Sequence, residues 1–182
     1  MSEPATSSGP DSMLELTIRT AGAVRHAPRL MRAWMTGTEI CVRDDAGMLV
    51  WLATPREVAW VHGGQLTESL ALHDRDVEDI AVWEPATEVA ALRTLRTATL
   101  WLGSDRTPDR GAGAEQLYER AVEWFHLPHP RFRNLRIARD LRTGTVLHIS
   151  GTNSVYGDLL VEVTSLEVLP RERARFQTEL QL

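Results

Sequence analysis

Lysine is absent from this chain: all 20 of its basic residues are arginine. Asparagine occurs twice, as Asn134 and Asn153, and isoleucine five times, whereas Ala, Leu, Arg and Val abound. Residues with AT-rich codons are thus depleted together, which points to a GC-rich bacterial genome rather than to selection against lysine modification. Cysteine is nearly absent too. The lone Cys41 excludes an internal disulfide, and its neighbours Ile40 and Val42 suggest a strand, so it reads as a small buried apolar side chain rather than a reactive thiol. No apolar run approaches the ~20 residues that a membrane helix needs. Residues 1–12 include Glu3 and Asp11 but no basic residue, and they lack the apolar core of a signal peptide. These three absences together predict a cytoplasmic protein with no membrane association.

Familiar catalytic signatures are missing as well. The chain has no Walker loop, no G-x-S-x-G elbow and no cysteine pair for zinc. Gly111-Ala112-Gly113 follows a polar loop rather than a strand and lacks a third glycine, so it fails as a dinucleotide fingerprint. No stretch carries a family signature. No catalytic residue, no metal site and no cofactor is assigned from the sequence.

What is present is an ordinary globular composition. The 182 residues are 43% hydrophobic and 25% charged, enough chain to bury roughly two-thirds of its unfolded surface without a staple. Residues 1–12, rich in Ser, Pro and Gly, read as a disordered tail, and residues 13–182 as a single domain.

Within that domain, Leu14, Leu16 and Ile18 alternate with Glu15, Thr17 and Arg19, a half-buried strand. Pro28, Leu30, Met31 and Trp34 have helical spacing, ended by Gly37. Residues 39–43 and 48–54 flank Asp44-Asp45-Ala46-Gly47 as a hairpin. Further strands are predicted over 57–62, 67–73 and, less regularly, 77–83. Pro85 opens a helix whose stripe is Val89, Leu92, Leu95 and Leu102. A second helix over 114–126 places Leu117, Ala121 and Trp124 beside Tyr118, Val122 and Phe125, a broad apolar arc. Strands over 135–141, 145–150 and 159–169 follow, then a short terminal helix after Pro170 bearing Phe176 and Leu180. Strands grouped in runs, rather than alternating with helices, predict an α+β fold: antiparallel sheet with two central helices packed on one face.

Four features are candidates for function. Arg131, Arg133, Arg136, Arg139 and Arg142 crowd into twelve residues, relieved by Asp140. Such a run can neutralise phosphates, with Phe132 available to stack on a base. In a strand, however, these arginines divide between two faces, and the net charge of −5 opposes non-specific nucleic-acid binding. The acidic segment 74–88 offers an alternative partner within the chain. Its cluster Asp74, Asp76, Glu78 and Asp79 departs from a calcium loop, because Asp79 stands where such a loop needs glycine. His126 and His129 form an H-x-x-H interrupted by Pro128, a poor metal geometry. Trp51 and Trp60 lie on neighbouring predicted strands, and tryptophan is enriched at binding hot spots.

Together these observations favour a non-catalytic protein-interaction module, an accessory, adaptor or chaperone-like subunit, with Trp51, Trp60, Arg131, Arg133, Arg136 and Arg139 as partner-binding residues. A nucleic-acid-binding accessory protein using Arg131 to Arg142 is the second reading. A small metal-dependent hydrolase built from the scattered histidines and the acidic cluster is the third.

Overall fold

Alternation governs this chain more widely than its helical-looking stretches suggest. The computed structural model describes residues 11–22, 25–55, 57–62, 65–71 and 87–176. Eleven strands run through them: β1 (Ser12–Gly22), β2 (Arg25–Met35), β3 (Ile40–Asp44), β4 (Leu49–Ala53), β5 (Glu57–His62) and β6 (Gln65–Ala71), then β7 (Asp109–Leu117), β8 (Arg120–His126), β9 (Phe132–Asp140), β10 (Val146–Asn153) and β11 (Gly157–Pro170). They form one antiparallel sheet in the order β6-β5-β4-β3-β2-β1-β11-β10-β9-β8-β7. Two meanders are therefore joined where β1 pairs with β11, from Ser12 opposite Pro170 to Gly22 opposite Leu159.

At that seam the chains come very close. Gly22 has φ +89°, and a Cβ there would stand 1.6 Å from the Asp158 carbonyl oxygen. Glycine is thus required by conformation and by space alike.

The helices are short: α1 (Thr87–Ala91) and α2 (Leu95–Trp101). Thr94 separates them and caps α2, its hydroxyl accepting the Thr97 amide at 3.1 Å while the Thr97 hydroxyl accepts the Thr94 amide at 2.9 Å. Three contacts fasten the pair across one sheet face. The Leu92 carbonyl accepts the Val146 amide at 2.8 Å, Arg93 donates to the Thr36 carbonyl at 3.3 Å and to that of Gly37, and the His129 ring meets the Leu102 carbonyl at 3.0 Å.

Between sheet and helices lies the main core. The row Leu16, Ala33, Val42 and Trp51 crosses β1 to β4 in register, and Ile18, Val163, Val161, Ile149, Ile137 and Phe125 continue it over the second meander. Val89, Ala90, Leu92, Ala98 and Leu102 cover this face. A smaller cluster occupies the opposite face, where Trp34, Cys41, Leu52 and Ala59 form a row with Met13 beneath Phe176 of the terminal 3₁₀ helix Arg173–Phe176.

The predicted α+β fold with two central helices packed on one face is corrected by this architecture: the described residues are mainly one large antiparallel sheet, with two short α-helices among them. Of residues 28–37, expected to be helical, 28–35 belong to β2, and Thr36 and Gly37 enter the β2–β3 turn. Its Met31, Ala33 and Met35 face the helices, but Trp34 is buried on the other face by Phe176, so two covered faces disguised the period of two. The helix expected over 114–126 is the β7–β8 hairpin. Its turn residues Tyr118 and Glu119 have φ of 48° and 62°, positions where a glycine would have announced the turn. The helix expected from Pro85 is broken in two at Thr94. Of the expected terminal helix, the described part is the short 3₁₀ turn Arg173–Phe176, and Leu180 lies outside the described residues. The strand expected over 77–83 lies outside the described residues.

Candidate functional site

The strand period distributes the arginine run over different environments. Arg131 and Arg133 are exposed at the start of β9. Arg136 lies over the Trp124 ring, 4.2 Å from its centroid. Arg139 pairs with Glu123 at 2.7 Å and lies over Phe125. Arg142 stands in the β9–β10 turn. Arg139 thus serves the interior, through Glu123, and the segment 74–86 lies outside the described residues.

The two tryptophans share a register position across β4 and β5. Trp51 is 2% exposed, within the core beneath the helices. His129 is held at both ring nitrogens: Nδ1 accepts the Arg131 amide at 3.1 Å, and Nε2 donates to Leu102. With both nitrogens engaged in hydrogen bonds, the ring offers no free lone pair for a metal. His126 is exposed. Among the described residues no three His, Cys, Asp or Glu side chains gather as a metal site. Burial pushes the Cys41 thiol up, with Arg43 and Arg175 countering weakly, so it stays protonated and inert.

Among the described residues, several ionisable groups gather around Glu162, which is buried. Arg19 donates to it from Nε at 3.0 Å, the Tyr118 hydroxyl donates to its other oxygen, and His148 Nδ1 lies 3.8 Å away. Burial alone would raise the Glu162 carboxyl, but the bonds from Tyr118 and Arg19 outweigh it and hold the group below its usual range. The same bond, with burial, pushes the Tyr118 hydroxyl up. Burial drives His148 down, Glu162 opposing and Arg136 reinforcing. A carboxylate so engaged is a poor base and a tyrosine so raised a poor acid at neutral pH. The cluster ties the β7–β8 turn across to β11 and steadies two left-handed residues that favour glycine.

A different arrangement forms at the sheet end that carries the β2–β3 and β9–β10 turns. Register sets Met35 of β2, Leu14 of β1 and Val168 of β11 side by side. These three make the apolar floor of a cavity of about 500 Å³, rimmed by Thr36, Gly37, Arg93, Thr94, Arg142, Thr143 and Thr145. Each wall is locally fixed. The Thr36 hydroxyl accepts the amides of Thr38 and Glu39 at 3.2 and 3.0 Å, shaping the β2–β3 turn. Asp140 shapes the β9–β10 turn by accepting from the Thr143 amide and hydroxyl, both at 2.7 Å, and from Arg120 at 2.9 Å through both oxygens. Arg93 is spent on backbone carbonyls, whereas Arg142 is exposed at the rim and makes no hydrogen bond or ion pair with a described residue. A floor of aliphatic side chains with a guanidinium and hydroxyls above it suits a ligand that is apolar at one end and acidic at the other.

Sequence reading missed this floor because its members come from three separated strands and meet through register alone. It also missed Val155 and Tyr156, which the turn sequence Asn153-Ser154-Val155-Tyr156-Gly157 could have marked, since two large apolar residues at a turn tip are unusual.

No family model matches the chain, and no curated protein does. Among solved structures, an uncharacterized conserved protein from Thermus thermophilus superposes with a TM-score of 0.55 at 10% identity, over 92% of this chain and 85% of that one. MucB of Pseudomonas aeruginosa, solved in complex with MucA, gives 0.39 at 16% identity over 92% of this chain, which spans 56% of that one. A LolA superfamily protein from Nitrosomonas europaea gives 0.34 at 10% identity, over 93% and 90%. The likeness to the Thermus protein is one of fold.

Proposed function

We propose that this chain is a non-catalytic binding module, of accessory or chaperone-like type, which takes an apolar, acid-bearing anchor of a protein partner into the cavity floored by Met35, Leu14 and Val168. The observation that carries this reading is that aliphatic row beneath Arg142. The cavity volume falls within the ~300–1,000 Å³ common for ligand sites. An anchor burying ~100 Å² of apolar surface there would gain about 2.5 kcal/mol, and a carboxylate beside it would meet the planar donors of Arg142.

The nucleic-acid reading is less well supported. Arg136 and Arg139 stack on aromatic rings, and Arg139 also pairs with Glu123, so neither stands free to neutralise a phosphate. The hydrolase reading lacks support from His129, whose nitrogens are both engaged.

The test is affinity capture from the native cell with the wild type and with Val168→Asp combined with Arg142→Glu. Both sites are exposed enough to leave the fold intact. A stoichiometric partner lost from the double variant, but retained by Arg29→Glu at an exposed position of β2 outside the cavity, supports the reading. Equal recovery by all three proteins contradicts it.

A further inference from the structure

At the sheet end opposite the cavity, the β10–β11 turn exposes Val155 by 76% and Tyr156 by 72%, more than any other large apolar side chain among the described residues. The turn that carries them is stiff. Buried Asn153 accepts the amides of Val155 at 2.8 Å and Tyr156 at 3.1 Å on its side-chain oxygen. Gly157 closes the turn at φ +81°, and the Thr152 hydroxyl donates to Asp158 at 2.8 Å. Directly behind, Gly22 packs against the Asp158 carbonyl. Presenting two bare apolar side chains on a braced turn means little conformational entropy is lost when they are covered, which is how rigid anchors bind well.

Charge identifies what covers them. Strand register sets Asn153 opposite Phe132 and Thr152 opposite Arg133, so Arg131 and Arg133 stand beside the turn. Both are exposed, and neither has an acidic partner among the described residues. Phe132 between them is braced edge-to-face on His129 at 5.1 Å, which steadies this flank. The β3–β4 turn at the same end contributes Asp44 and Asp45, and the chain as a whole carries −5, a poor match for an anionic membrane.

We propose that Val155 and Tyr156 form a docking knob for a protein partner, inserting into an apolar cleft whose rim offers carboxylates to Arg131 and Arg133. This surface is separate from the cavity and stands whether or not the cavity reading holds. A partner in contact with both ends of the sheet would be held at two points.

The experiment replaces Tyr156 with the photo-crosslinking residue p-benzoylphenylalanine in the full chain, in the cells that make it, and maps the crosslinked peptide by mass spectrometry. The expected result is one protein adduct at a segment combining apolar residues with Asp or Glu, its yield falling at least tenfold with Arg131→Glu plus Arg133→Glu. Val168→Asp plus Arg142→Glu, at the opposite end of the sheet, should leave the crosslinked position unchanged. Any of four results overturns the proposal: an adduct to lipid, an adduct to a second copy of this chain, a basic or wholly polar crosslinked segment, or no adduct. Circular dichroism matching the wild type verifies that the arginine variant is folded.

Discussion

Replacing Asp140 by Asn keeps the shape of the side chain and removes its charge from the point where β8, the β9–β10 turn and the cavity wall meet. Asp140 is 2% exposed and Arg120 19%. The carboxylate accepts four hydrogen bonds, two from Arg120 and two from Thr143. An amide keeps one accepting oxygen and turns its nitrogen toward donors. Removing one partner of a fully buried ion pair costs about 3–5 kcal/mol; partial hydration of Arg120 lowers the expectation to about 2–3 kcal/mol. For a chain of this size that corresponds to a fall in Tm of about 5–10 °C.

Burial raises the Asp140 carboxyl, but the bonds from Arg120 and Thr143 outweigh it, so its folded pKa lies below the usual range. Its stabilisation is therefore present above the ordinary carboxylate pKa and lost as pH falls through the folded value. The gap between wild type and Asp140→Asn should close as pH drops below about 4. Urea unfolding across pH measures both effects. A double-mutant cycle with Arg120→Met should return a coupling of at least about 1 kcal/mol. A Tm within about 1 °C of the wild type at neutral pH would refute the reasoning.

Three further changes probe other parts of the fold. Gly22→Ala must displace the Asp158 backbone at the β1–β11 seam, so a loss of at least about 2 kcal/mol is expected in denaturant titration; an unchanged midpoint would contradict that packing. Phe176→Ala uncovers Trp34, Leu52 and Met13 and should cost about 3 kcal/mol, with a red-shifted tryptophan emission that a surface role for Phe176 would not produce. His148 is pushed down by burial, so the unfolded chain takes up its proton first and stability falls as pH drops below the ordinary histidine value of about 6.5. His148→Gln should flatten stability between about pH 6.5 and pH 5, before Glu162 contributes its own acid loss; parallel curves would rule out this origin.

Much of the sheet was legible in the sequence, and the reasons are local. Leu14, Leu16 and Ile18 show clean alternation because the opposite face of β1 is partly exposed there. Gly47 and Gly144, at φ of 81° and 75°, mark the β3–β4 and β9–β10 turns. The division of the arginine run between faces likewise follows from the period of a strand. Illegible were the segments where both faces are covered, as at Trp34 and Met35 in β2, and the turn at Tyr118 and Glu119, whose left-handed backbone is held by a hydrogen bond to a residue 44 positions away. The cavity was hidden for a related reason: Leu14, Met35 and Val168 become neighbours through strand register, which no local pattern encodes.

The row Met35, Leu14 and Val168 is proposed to receive an apolar, acidic anchor. Methionine-methyl NMR tests it most directly, because Met35 lies in the cavity floor whereas Met13 belongs to the cluster beneath Phe176 on the other sheet face. Titrating the full chain with an acetylated peptide alternating leucine and glutamate should move the Met35 resonance in a saturable way and leave Met13 in place. Arg142→Glu should weaken that response at least tenfold. A saturable shift at Met13 or Met48 with Met35 unmoved, or a Met35 response indifferent to Arg142→Glu, would contradict the account.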